Sequence, residues 1–88
     1  MTMSGARAYD DEAEERSVIQ RGIVEIGDPV QRVDYTVIVY YEYNAYGHAE
    51  ICEVDVERAF VDGIEPQEYT QELIDTINAH ATKHFRPN

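Results

Sequence analysis

From Val33 to Arg58, two runs rich in β-branched and aromatic residues flank a short break, and apolar and polar positions alternate through much of both runs. Val33 to Tyr43 suits a pleated, half-buried surface, and so does His48 to Arg58. Asn44-Ala45-Tyr46-Gly47 is the break. A four-residue loop, with Gly47 closing a type I turn, fixes a register. It sets Tyr43 against His48, Tyr41 against Glu50, Val39 against Cys52, Val37 against Val54, Tyr35 against Val56 and Val33 against Arg58. Opposed residues share a face. Val33, Tyr35, Val37, Val39, Cys52, Val54 and Val56 then form a core face. Asp34, Thr36, Ile38, Tyr40, Glu42, Ile51, Glu53, Asp55 and Glu57 form the other. A slip of one residue would turn carboxylates into the apolar side.

The flanking segments supply the remaining elements. Residues 1–16 are polar and acidic, with Asp10-Asp11-Glu12-Ala13-Glu14-Glu15 at their centre, and read as a flexible tail or a short helix. Val18, Val24 and Ile26 share one parity, which predicts a strand over 17–27, weakened or bulged at Gly22. Gly27-Asp28-Pro29 and Asp62-Gly63 read as turns. Pro66 opens a helical pattern in which Tyr69, Leu73, Ile77 and Ala81 recur every fourth residue, and Ile74 and Phe85 widen the stripe. Lys83 and Arg86 suit its end, and Pro87 stops it. The expected fold is α+β: a three-stranded antiparallel meander packed on one C-terminal helix, as a single domain over 17–88.

Charge narrows the function. Eighteen acidic residues face seven basic ones, a net charge of −11. Between Val33 and Thr82 there are eleven acids and one base, Arg58. Such a field repels nucleic acid and anionic membrane and attracts basic surfaces. No apolar run reaches transmembrane length, and no charged start with an apolar core suggests a signal peptide. The single cysteine, Cys52, fits a reducing cytosol, so a cytoplasmic protein is expected.

Catalytic and metal chemistry are poorly supplied. There is no Gly-rich phosphate loop, and no nucleophile is marked by a neighbouring base, so no enzyme is expected. His80 and His84 are four apart on the helix and could share an ion, but no third ligand is placed by spacing, so neither metal nor cofactor is expected.

The acids are better organised. Glu53, Asp55 and Glu57 recur every second residue, roughly 6.6–6.8 Å apart along a strand. That is about two steps of one DNA strand, whose phosphates advance about 3.4 Å each along the duplex axis. Asp34 should oppose Glu57, and Glu42 should oppose Ala49. Tyr40 falls on the acidic face and Tyr46 in the loop, where a ring could dock beside Arg or Lys. The expected partner-binding residues are Tyr40, Glu42, Tyr46, Glu50, Glu53, Asp55 and Glu57, with Glu68, Glu72 and Asp75 as a second patch on the helix. In size and charge the chain is similar to phage-type anti-restriction and anti-CRISPR proteins. That similarity implies an inhibitor that occupies the basic nucleic-acid groove of a DNA- or RNA-handling complex by imitating a polyanion, without binding nucleic acid itself. The alternative is a homodimeric structural or adaptor module, paired through strand edges or sheet faces, whose acidity serves solubility.

Overall fold

The computed structural model describes residues 15–87. The tail or short helix expected over 1–16 lies outside the described residues except for Glu15 and Arg16, and Arg16 already belongs to the first strand. Three strands, β1 (Arg16–Ile26), β2 (Gln31–Tyr43) and β3 (Ala49–Val61), precede one helix, α1 (Gln71–Lys83). The sheet is antiparallel in the order β1-β2-β3, with α1 packed across one face. This is the α+β meander that the alternating pattern predicts.

β2 is the central strand, and its alternation is unbroken. Val33, Tyr35, Val37, Val39 and Tyr41 are buried, while the residues between them are only partly covered. β1 pairs with β2 without interruption from Arg16↔Tyr41 to Ile26↔Gln31. The bulge expected at Gly22 is therefore absent. Gly22 serves packing instead: a Cβ there would lie 2.6 Å from Cζ of Tyr35 and against its hydroxyl.

The register between β2 and β3 differs from expectation in two ways. The loop has three residues, Ala45 to Gly47, because the Asn44 N–H donates to the His48 carbonyl at 2.8 Å. The Gly47 N–H donates to the Asn44 carbonyl at 3.0 Å, and Gly47 adopts a φ of 83°, the left-handed position of a type I turn closed by a glycine bulge. Tyr43 consequently opposes Ala49, Glu42 opposes Glu50, and Tyr41 opposes Ile51. Two irregularities in β3 then absorb Cys52 and Glu57 as extra residues, so Val39 meets Val54, Val37 meets Val56 and Val33 meets Val61. The bulges keep valines on the core side while letting the count of residues slip. Cys52 is exposed rather than in the core, and Ile51 packs against the core rather than standing outside it. Arg58 opposes Thr36, away from the core.

The helix begins later than Pro66 suggests. Thr70 is its N-cap, with φ −69° and ψ 160°, and Thr70 Oγ1 accepts the Leu73 N–H at 3.2 Å. Residues 66–69 form the approach. In it the Tyr69 hydroxyl accepts the Ala59 N–H at 2.9 Å and donates to Glu65 at 2.8 Å. Leu73, Ile77 and Ala81 are the buried stripe of α1, and Phe85 packs on the Tyr41 ring at 5.1 Å. No helix among the described residues is long and apolar enough to cross a membrane.

Candidate functional site

With α1 on one face, the other face of the sheet is left open among the described residues, and pairing fixes what stands on it. Reading outward rows from the β2–β3 loop, Glu42 opposes Glu50, Tyr40 lies between Ser17 and Glu53, and Ile38 lies between Ile19 and Asp55. Thr36 then lies between Arg21 and Arg58. The face is acidic at the loop end and along β3 as far as Asp55, apolar at Ile19 and Ile38, and basic one row further on.

Asn44 organises the loop end. Its Oδ1 accepts the backbone N–H groups of Tyr46 and His48 at 2.8 and 3.0 Å, and its Nδ2 donates to Glu50 at 2.9 Å. One side chain thus sets the turn, orients a carboxylate and presents Tyr46, which is 85 % exposed. Carboxylate crowding continues along β3. A hydrogen bond with Asp55 holds the Glu53 carboxyl above its ordinary value, and the charges of Asp55 and then Glu15 push the same way. An approaching cation would relieve that repulsion. The Cys52 thiol is raised by partial desolvation and then by the charges of Glu42, Glu15 and Glu50, which keeps it from acting as a thiolate.

The structure brings together Tyr40, Glu42, Glu50, Glu53 and Asp55, with Tyr46 at the tip. It separates the rest. Glu57 is the extra residue of the second bulge, so the even Glu53-Asp55-Glu57 row is broken. Asp34 opposes Phe60 rather than Glu57, and it pairs with Arg32 at 3.1 Å. Glu42 opposes Glu50, not Ala49. Glu72 and Asp75 are exposed on α1, in the opposite layer, and exposed Glu68 precedes that helix. Glu15, Arg21 and Arg58 are the members that sequence reasoning missed. Strand pairing reveals Arg21 and Arg58, and the charge that Glu15 exerts on Glu53 reveals Glu15.

A second feature lies beside β1. A cavity of about 480 Å³ runs from Val18–Gly22 of β1 to Tyr35, His80, His84 and Arg86. The Tyr35 hydroxyl meets His80 Nδ1 at 2.7 Å, and the His80 and His84 rings lie 4.4 Å apart. Gln20 Nε2 donates to the Ala81 carbonyl at 3.0 Å. Among the described residues no group of three or more His, Cys, Asp or Glu is placed to hold a metal ion. Burial, followed by the charges of His84 and Lys83, lowers the His80 pKa below 6.5. Well above pH 6.5 the ring is neutral both folded and unfolded. As pH falls through 6.5 the unfolded chain takes up its proton first, so stability is lost and levels off once the folded ring is also charged. Urea midpoints measured across this range should therefore drop more steeply in the parent chain than in His80→Gln. Equal slopes would mean that His80 is not held neutral.

Compared with protein-family models, with curated proteins and with solved structures, the chain gives no significant match in any of the three.

Proposed function

We propose that this chain is a protein-binding inhibitor whose acidic sheet end docks into a basic nucleic-acid-binding surface of a DNA- or RNA-handling complex. The reading is carried by one observation: Glu42, Glu50, Glu53 and Asp55 gather on a sheet face that α1 leaves open, with Glu50 oriented by Asn44 and Glu53 strained by Asp55. A pre-set carboxylate cluster loses little conformational entropy on docking. Tyr40 and Tyr46 flank it with aromatic surface suited to Arg and Lys stems. Glu68, Glu72 and Asp75 would form a separate contact on the helix side, and Glu57 a peripheral one. The reading makes no use of catalysis, a cofactor or direct contact with nucleic acid.

The test begins with capture from a cell lysate on the immobilised chain. Duplex DNA should release the captured protein, and so should raising salt from about 50 to 300 mM. Glu50→Gln, Glu53→Gln and Asp55→Asn combined should weaken binding on the order of 10²-fold, taking about 1 kcal/mol for each lost charge-assisted contact. The matched helix variant, with Glu68, Glu72 and Asp75 neutralised, measures the second patch. A folded sheet variant that binds as tightly as the parent sinks the proposal.

A further inference from the structure

The two edges of the sheet are unlike. β3 is closed to further pairing: it carries the bulges at Cys52 and Glu57, Tyr69 binds its backbone at Ala59, and Ile64 folds back to exchange both backbone bonds with Val61. β1 has none of these devices. Its eleven residues are regular, and among the described residues nothing bonds to its free backbone edge.

Alternation shows which groups are free. On β2, Asn44 and Arg32 turn their backbone toward β3, so the odd-numbered residues of β2 turn toward β1 and bind its even-numbered residues. Ser17, Ile19, Arg21, Ile23 and Glu25 therefore turn their N–H and C=O groups outward.

We infer that the occupant of this edge is a second copy of the chain, its β1 pairing antiparallel with this one about a two-fold axis at Arg21. Three observations select a second copy. First, β1 carries a single acid, Glu25, in a chain with eighteen, and in this register Glu25 falls opposite Ser17 of the second copy, so the chain's acids do not face one another; the Arg21 pair on the axis is the one like-charge contact and opposes association. Second, the pattern is complementary to itself. With Arg21 opposite Arg21, Ile19 meets Ile23 of the second copy on the open face, and Val18 meets Val24 on the core face. Ile19 and Ile23 are 59 % and 50 % exposed in the single chain, and Val18 and Val24 only pack at the margin of the core. Third, the cavity between β1 and the end of α1 adjoins the axis, where the second copy would wall it. The product is a six-stranded sheet with both helices on one face. Both acidic loop ends remain free, and the inference does not rest on the inhibitor reading.

The full chain should have about twice its 10.1 kDa mass by light scattering at about 100 µM. Ile19→Lys with Ile23→Lys, at positions already exposed, should leave the circular dichroism of the fold intact and weaken association about 100-fold or more. In a Cys52→Ser background, Arg21→Cys should give a disulfide-linked dimer on oxidation, because opposed Cα atoms of a bonded antiparallel pair lie about 5.5 Å apart. A parent chain at 10.1 kDa, a dimer indifferent to the two lysines, or a dimer in which Arg21→Cys stays unlinked would each overturn the inference.

Discussion

Replacing Gly22 with alanine should destabilise the domain by about 2 kcal/mol, lowering the melting temperature by about 8–16 °C for a domain of this size. Intrinsic preference points the other way, since alanine in place of a strand glycine ordinarily stabilises by about 0.5–1 kcal/mol. The sign is decided by Tyr35. Its ring is only 3 % exposed, its hydroxyl is held by His80 Nδ1 at 2.7 Å, and its edge meets the His80 ring at 5.7 Å. A Cβ on Gly22 would sit 2.6 Å from Cζ, where a fixed ring cannot yield. Overpacking of this kind costs about 1–3 kcal/mol, and the displaced hydrogen bond adds about 1 kcal/mol. The double variant with Tyr35→Leu separates the causes. In that background the alanine should be close to neutral, giving a coupling well above the error of chemical denaturation. A Gly22→Ala chain as stable as the parent would mean that the Tyr35 ring is free to move.

The residues explain why some of this was legible beforehand and some was not. β2 can be read directly because nothing interrupts its alternation, from Val33 to Tyr41. β3 cannot, because an irregularity at Cys52 and another at Glu57 leave no mark in residue type. Those bulges answer a conflict between turn and strand. The glycine-closed loop sets the register one step away from that of a four-residue turn, and the extra residues restore the valines to the core. The same shift carries Glu50 to Glu42, so the acidic cluster is tighter than composition implies. Pro66 hid the true helix start because Thr70 lacks a Glu or Gln three residues on to complete a capping box. The basic row is invisible in the chain because Arg21 and Arg58 become neighbours only through Thr36 of the strand between them.

Truncating Ile77 to alanine should cost about 2–5 kcal/mol, and should reach the acidic face although it lies in the other layer. Ile77 is fully buried and sits midway along the stripe of Leu73 and Ala81 that covers the core of the sheet. A domain of this size has about 4–13 kcal/mol of stability to lose, so one cavity removes a large share of it. Among the described residues no second helix shares the load, and α1 is the sole covering element over Val33, Val37 and Val39. A two-stranded hairpin alone is marginal in water. If α1 lifts away, β2 and β3 lose the apolar contacts that hold their bulged register, and Glu50, Glu53 and Asp55 lose their common geometry. Urea unfolding should show the loss directly, dye binding should report the uncovered valines, and capture of the proposed basic partner should weaken with the folded fraction. Ile64→Ala is the matched control, because Ile64 is 73 % exposed and its truncation removes no core contact. A loss below about 1 kcal/mol for Ile77→Ala, far under the usual range for a buried isoleucine, would show that α1 is not what keeps the acidic face in register.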